Sequence, residues 1–196
     1  MFGVPFHPQR EYDDKSPLGE LPTFIHLEDY NLTINKAFHH IRSGRPRYFN
    51  FAVFEVDVLD SLGDGESCDY VMLLGFGIHF RQWSRDAFID RVIHIKSAIS
   101  RFRIRCPQTP IIIKGPHMST DPQSAVKSYQ QVAIASSDFF VHEIRDIMKL
   151  HFQENAHVLF FDTWDMNLSF LAPDEVHMPV PAVKQELYML LSMLCL

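Results

Sequence analysis

Apolar and polar positions change period along this chain, and the changes predict strands that alternate with helices. Three short apolar runs, each closed by glycine, proline or aspartate, are "DYVMLLGFG" (69–77), "PIIIKGP" (110–116) and "HVLFFD" (157–162). Continuous apolar runs of this length are typical of strands that are buried on both faces of a parallel sheet. The pattern therefore predicts three buried parallel strands.

Amphipathic helices are predicted between and after these strands. The first has Ser84 at its N-cap and apolar residues at steps of four and three, namely Phe88, Val92, Ile95, Ile99 and Phe102. A second helix is predicted from the N-cap Asp121 to about Phe152, with a break near Ser136 and Ser137. A third closes the chain and places four apolar residues on one face: Val183, Leu187, Leu190 and Leu194.

The pattern before residue 69 is less regular. Residues 1–27 are rich in proline, glycine and charge, which predicts an irregular arm, and alternation predicts a strand that begins near Asn31. The stretch "FAVFEVDVLDSL" (51–62) fits a strand or a helix, and the helical spacing with Gly63 as a C-terminal cap favours the helix. A chain of 196 residues predicts one domain.

Alternating strands and helices imply an α/β fold with a parallel sheet covered by helices, and such sheets bind ligands beyond the carboxyl ends of their strands. The three predicted strand ends are "GFGIHF", "KGPHMST" and "DTWDMNLSFLAPDEVH". Each contains a histidine: His79, His117 and His177. We expect these segments to meet at one edge of the sheet.

Asp174 and His177 are the first candidate pair in these segments. A histidine can take a proton from a hydroxyl nucleophile while an aspartate fixes its tautomer and stabilises the imidazolium. The alternative is that "APDEVHMP" is a solvated turn in which an acidic residue caps the last helix. The spacing by itself favours the turn, so both interpretations remain open.

The glycines after the first buried strand are the second candidate. Gly75 or Gly77 could offer a backbone N–H to an oxyanion, with His79 as a side-chain donor, or the glycines merely allow a tight turn. His117 is a further candidate for substrate binding, and its alternative is a surface loop.

A hydrolase with this pair also needs a nucleophile. Ser67 in "GDGES" precedes a strand, which puts it at the wrong end of the sheet. Ser84 and Ser119 are the remaining candidates, and neither follows a strand in a strand–turn–helix context.

Composition and charge limit the kinds of ligand and binding partner that the sequence predicts. The formal net charge of −6 argues against nucleic acid and anionic membranes, and no apolar run approaches the roughly 20 residues of a membrane span. No HxH, HExxH or CxxC spacing occurs, so neither a metal nor another cofactor is predicted.

The cysteines and the N-glycosylation sequons give information about the cellular compartment of the protein. The three cysteines Cys68, Cys106 and Cys195 leave at least one thiol free or paired outside the chain. Two N-glycosylation sequons, at Asn31 and Asn167, indicate a secretory route, although the N-terminus does not have the pattern of a signal peptide.

The stretch "DTWDMNLSFLAPDEVHMPVPAVKQELYMLLSMLC" resembles the C-terminal end of the neurexophilin and PC-esterase (NXPE) family. Proteins of that family have a strand that ends in D-x-W-D-M, then a variable loop, a turn with histidine and proline, and a final helix. "YVMLLGFGIHF" and "NLTINKAFHHIRSGRP" resemble earlier segments of the same family. The resemblance covers roughly residues 28–196.

That family is similar to the SGNH esterases and acyltransferases, so the resemblance implies a three-layer α/β fold with a parallel sheet flanked by helices. It also implies acyl, in particular acetyl, chemistry on a carbohydrate or glycoprotein substrate in the secretory pathway. Asp174 and His177 match the catalytic block, and Gly77 to His79 occupy the oxyanion stretch, with a histidine where the wider superfamily has asparagine. Trp164 and Asp165 in the D-x-W-D-M segment are expected near the substrate.

This sequence departs from the family pattern at one point that matters for chemistry. The first strand and its Gly-Asp-Ser block, which supplies the serine nucleophile, are not found in it, and His177-Met178-Pro179 stands where the family has His-Pro. We therefore expect an incomplete domain that is inactive alone, either a fragment or a natural member without catalysis. The alternative is a non-catalytic secreted or lumenal glycoprotein module that binds a glycan or a protein.

Overall fold

The structure is a computed structural model that describes residues 23–36, 38–39, 52–63, 67–80, 83–117, 138–155, 157–170 and 178–194. The chain divides into two compact units, residues 1–66 and 67–196, which are described separately.

The first unit contains short strands and one helix. Its elements are β1 (Thr23–Leu27), β2 (Leu32–Lys36), β3 (Phe38–His39), β4 (Ala52–Val53) and α1 (Glu55–Ser61). β1 and β2 form an antiparallel hairpin, and β3 pairs with β4 in parallel. The strand predicted near Asn31 is confirmed as β2, whereas the irregular conformation predicted up to residue 27 is wrong for Thr23–Leu27, because that segment pairs with β2. The domain boundary at residue 28 stays a prediction.

The ambiguous stretch 51–62 contains both predicted structures. It begins with the strand β4 and continues as the helix α1. Gly63 follows the helix with φ of 83°, a left-handed conformation that glycine adopts without steric cost. The favoured helix and its terminal glycine are thus confirmed.

The second unit has a parallel sheet flanked by helices, which confirms the predicted α/β class. Its elements are β5 (Met72–Leu74), α2 (Arg85–Arg105), β6 (Ile111–Lys114), α3 (Asp138–Phe152), β7 (Leu159–Phe161), α4 (Trp164–Leu168) and α5 (Val180–Leu194). The strand order is β5-β6-β7, and both pairings are parallel. Whether a further strand completes the sheet lies outside the described residues.

The three predicted strands differ in how deeply they lie in the sheet. Ile111, Ile112 and Ile113 of the central strand β6 are almost completely buried. Leu73 of β5 and Leu159 of β7 are 49% and 40% exposed. Since β5 and β7 are the outer strands of the described sheet, only the central run is buried as continuously as its sequence predicts.

Helix α2 forms as its apolar spacing predicts. Ser84 is its N-cap, and its Oγ accepts a hydrogen bond from the backbone N–H of Ala87 at 3.3 Å. All five predicted apolar residues are buried, and α2 packs against α3. The part of the second predicted helix before Asp138, with its expected break, lies outside the described residues.

Helix α5 presents a different face to the interior than its apolar spacing indicates. Its buried residues are Ala182 and Glu186, whereas Val183 and Leu187 are 49% and 50% exposed. The reason is that the carboxylate of Glu186 finds hydrogen-bond donors inside the fold, described below, and hydrogen bonds offset the cost of burying a charge. The face predicted to be apolar is therefore largely open to solvent.

A disulfide joins Cys68, before β5, to Cys106 at the end of α2. The two residues lie 38 positions apart in the sequence, so closing this loop is worth about 4 kcal/mol through the entropy of the unfolded chain. Within the residues that the structure describes, no helix is both long and apolar enough to cross a membrane.

Candidate functional site

The segments that follow the three parallel strands lie side by side at one edge of the sheet. A Cβ on Gly77, after β5, would come within 3.0 Å of the Cβ of Pro116, after β6. A Cβ on Gly115 would come within 3.7 Å of the Cα of Asp162, after β7. A side chain at Gly77 would crowd Pro116, whereas one at Gly115 would make ordinary contacts, and the expected convergence of strand ends is present.

The predicted site residues that the structure describes differ in their exposure to solvent. Gly77 is buried, whereas Gly75 and His79 are exposed, and His117 is half-buried directly after Pro116. Asp174 and His177 fall in residues 171–177, outside the described part of the chain. The acid–base pair and the oxyanion role of Gly75, Gly77 and His79 therefore stay predictions.

Asp162, the first residue after β7, binds two cations of α3. The guanidinium of Arg145 donates to both carboxylate oxygens, with Nε at 2.9 and 3.1 Å and Nη2 at 2.7 Å. Lys149 Nζ lies 3.3 Å from Oδ2, and the backbone N–H of Trp164 donates to Oδ1 at 3.3 Å. This bidentate pair fixes the end of β7 against α3.

Charge and burial shift the pKa values of this cluster in opposite senses. Burial by itself would raise the pKa of Asp162, but the hydrogen bonds from Arg145 and Trp164 and the charge of Arg145 outweigh it, so the pKa is lowered. The hydrogen bond to Asp162 raises the pKa of Arg145. Both groups are therefore charged at neutral pH, and they pair with each other inside the fold.

Glu186 of α5 is the second carboxylate at this edge. Its Oε1 accepts from Lys114 Nζ at 3.2 Å, Thr163 Oγ1 at 2.8 Å and Asn167 Nδ2 at 3.1 Å. Burial would raise the pKa of Glu186, but the charge of Lys114 and the hydroxyl and amide donors lower it. Lys114 is the last residue of β6 and Thr163 follows β7, so one carboxylate joins α5 to both strand ends.

A groove of about 550 Å³ opens beside the same edge. Its lining consists of Phe139, His142, Glu143, Asp146 and Trp164. Phe139 is 73% exposed, and the ring of His142 meets the Trp164 ring edge to face at 5.6 Å. His142 Nδ1 lies 3.1 Å from Asp146 Oδ2, and Glu143 pairs with Arg85 at 3.1 Å.

The groove combines an exposed aromatic face with groups that exchange hydrogen bonds. An aromatic surface suits the apolar face of a ring, and carboxylate and imidazole groups suit hydroxyls. The groove carries acidic side chains, while Arg145 and Lys149 close by already pair with Asp162. Its chemistry therefore suits a neutral, hydroxyl-rich ligand better than an anion.

Sequence reasoning identified part of this site and missed the rest. Trp164 lines the groove and Asp165 beside it is exposed, and their place near a substrate stays a prediction. His142 and Asp146 were missed, although their spacing of four on a helix places them on one face. Among the described residues, no group of three or more histidine, cysteine or acidic side chains stands close enough to hold a metal ion.

Asn167 lies inside the fold, in contrast to Asn31. The side chain of Asn167 is 0% exposed, and its Nδ2 also donates to Thr163 Oγ1 at 3.1 Å. Asn31 is exposed at the turn between β1 and β2. The two sequons therefore have different surroundings.

Comparison with protein families places the chain beside a known domain family. The family model described as "NXPE family member 4-like, C-terminal domain" matches residues 9–195. The match covers nearly the whole chain and begins before residue 28, the rough start of the resemblance.

Replacing Asp162 with asparagine should lower the free energy of unfolding by about 2–3 kcal/mol, because Arg145 and Lys149 lose a partly buried counter-charge. Asp165→Asn, one turn away and exposed, should change it by less than about 0.5 kcal/mol. Urea denaturation of both variants at pH 7 checks the difference.

The same comparison repeated in acid checks the lowered pKa. The contribution of Asp162 is fully present above the ordinary pKa of 3.8 and is lost as the pH falls through the lower folded value. The gap between wild type and Asp162→Asn should thus close only below about pH 4. If Asp162→Asn does not lower the free energy of unfolding at pH 7, or lowers it no more than Asp165→Asn does, the stabilising role of the Asp162 charge is contradicted.

Proposed function

Because this chain belongs to the NXPE family, we propose that it is a PC-esterase-like domain related to carbohydrate O-acyl esterases or transferases. Asp174 and His177 form its acid–base pair, and the backbone at Gly77 lies on the oxyanion side. The observation that carries the proposal is the convergence of the segments after β5, β6 and β7 beside the aromatic groove.

The chemistry assigns one role to each group. In acyl transfer, His177 takes the proton from an attacking hydroxyl, and Asp174 orients the imidazole and stabilises its charge. A backbone N–H at Gly77 stabilises the negative oxygen of the tetrahedral intermediate. A sugar ring against Phe139 would have Asp146 and His142 beside it as hydrogen-bond partners for its hydroxyls.

The 196 residues by themselves do not turn over an acyl ester in this proposal. Among the residues that the structure describes, no serine directly follows a strand, as a nucleophile of this kind requires, and a triad loses orders of magnitude in rate when one member is missing. Turnover in this proposal requires the serine nucleophile of the family's Gly-Asp-Ser segment. Either another part of the gene product supplies that serine, or the protein acts without catalysis.

The compartment proposed for the domain is the secretory pathway. The disulfide between Cys68 and Cys106 supports it, because disulfides persist in oxidising compartments and are rare in the cytosol. The exposed sequon at Asn31 agrees with the same route.

A second candidate function is a non-catalytic module that binds a glycan through the groove. The observation that favours it is Phe139, whose ring is 73% exposed at the groove beside His142 and Trp164. A large aromatic side chain left in water at the rim of a groove is a feature of ligand sites. In both candidate functions the protein binds a carbohydrate, and only in the first does the domain take part in an acyl-transfer reaction.

Acetyl-ester hydrolysis distinguishes the two candidates. With acetylated oligosaccharides, the 196-residue chain and its His177→Ala variant should release acetate at the same background rate. The full open reading frame that contains this sequence should be active if it supplies Gly-Asp-Ser, and His177→Ala should then reduce the rate at least about a thousandfold. Hydrolysis by the 196 residues above the variant would contradict the claim of inactivity, and an inert full product would favour the binding module.

The groove itself is tested by binding of neutral oligosaccharides. Phe139→Ala should weaken the affinity about three- to tenfold, since an aromatic contact contributes about 0.5–1.5 kcal/mol. Leu150→Ala is the matched control, because Leu150 is equally exposed on α3 and does not line the groove. Calorimetric titration of both variants gives the comparison, and an equal loss in both would contradict a site at Phe139.

A further inference from the structure

The two sequons of this chain place their amide groups in opposite environments. Asn31 lies at the tip of the β1–β2 hairpin with φ of 46°, and it and residues 32–36 are exposed. Asparagine tolerates this left-handed conformation better than most residues do. An attached sugar at this tip would extend into solvent without displacing a neighbour in the hairpin.

The surroundings of Asn167 leave no space for an attached sugar. Both hydrogens of its Nδ2 have acceptors, Thr163 Oγ1 at 3.1 Å and Glu186 Oε1 at 3.1 Å. The side chain is 0% exposed, so no path leads from the amide to solvent. Through these bonds the amide joins α4 to α5 and completes the set of donors around the Glu186 carboxylate.

N-glycosylation changes the atom that makes these bonds. The donor is an oligosaccharide linked to a lipid pyrophosphate. The anomeric carbon forms a bond to Nδ2, its bond to the pyrophosphate oxygen breaks, the lipid pyrophosphate leaves, and the nitrogen loses one proton. The product keeps one N–H and carries a sugar where the second hydrogen was. At Asn167 that sugar would occupy the position of Thr163 or Glu186.

We propose that the folded protein carries its N-linked glycan on Asn31 and keeps Asn167 unmodified as a structural donor between α4 and α5. Glycosylation of Asn167 and this fold are then mutually exclusive, because a chain glycosylated there loses the bond to Thr163 or to Glu186 and must open the α4–α5 contact. The proposal does not depend on acyl chemistry, and the Cys68–Cys106 disulfide independently supports passage through the compartment where glycans are attached.

Site-specific labelling tests the proposal. The full chain, expressed behind a cleavable leader in animal cells, is collected from the medium and deglycosylated enzymatically in heavy-oxygen water, which converts each glycan-bearing asparagine to labelled aspartate. We expect the label on the Asn31 peptide and none on the Asn167 peptide. A labelled Asn167 in secreted, disulfide-bonded protein, or an unlabelled Asn31, would overturn the proposal.

Sequon variants that keep both asparagines provide the matched controls. Thr33→Val should remove the entire glycan-dependent mass, and Thr33→Ser, which keeps the sequon, should retain it. Ser169→Ala destroys the second sequon at an exposed position and should change neither the mass nor the secreted yield. A loss of mass in Ser169→Ala would show a glycan at Asn167 and contradict the proposal.

A stability readout separates the structural role of Asn167 from glycosylation. In unglycosylated protein, Asn167→Asp places a second carboxylate against Glu186 and should lower the midpoint of thermal unfolding by about 5 °C or more. Asn31→Asp, at an exposed turn that suits aspartate, should leave the midpoint within about 1 °C of wild type. Equal midpoints for the two variants would contradict the structural role of Asn167.

Discussion

The buried carboxylate of Glu186 holds together the edge of the sheet at which the parallel strands end. A carboxylate that leaves water must recover its lost hydration, and here a lysine, a hydroxyl and an amide donate to one of its oxygens. Because Lys114 ends β6 and Thr163 follows β7, the carboxylate fixes α5 to two neighbouring strands. Helix α5 begins at Val180, directly after the segment that contains Asp174 and His177. The position of α5 therefore sets where that segment must end.

A second carboxylate, Asp162, connects this edge to the groove. It holds Arg145 in a bidentate pair and accepts the backbone N–H of Trp164, whose ring faces His142. The guanidinium of Arg145 also lies 5.4 Å from the Trp164 ring. The aromatic wall of the groove is thus positioned by the same residues that anchor β7 to α3. This arrangement gives the proposed carbohydrate site a rigid wall at Trp164 and an exposed contact at Phe139.

Local patterns predicted the elements well, because their physical causes are local. Ser84 caps α2 through a bond to a residue three positions on, and the apolar residues of α2 recur at the helical period. The run of isoleucines in β6 is typical of a strand that is buried on both faces. The meeting of the strand ends also follows from the sequence, since parallel strands share one carboxyl edge.

The polar interactions of the site could not be predicted in the same way. Glu186 and Lys114 lie 72 positions apart, and nothing local marks Glu186 as buried, so the helical period indicated the wrong face of α5. The pairing of Asp162 with Arg145 spans 17 positions and likewise depends on the packing of α3 against β7. The cysteine pairing is a third case, because three cysteines allow several partners and only the fold brings Cys68 to Cys106.

A double-mutant cycle on Lys114 and Glu186 tests the central claim most directly. Lys114→Met, Glu186→Gln and the double variant are unfolded in urea beside wild type, and the coupling free energy is the difference between the double effect and the sum of the single effects. The account predicts a coupling of about 1–3 kcal/mol, as expected for contacting residues of one network. Effects that add to within about 0.5 kcal/mol would contradict it, because Glu186 would then not hold α5 to the end of β6.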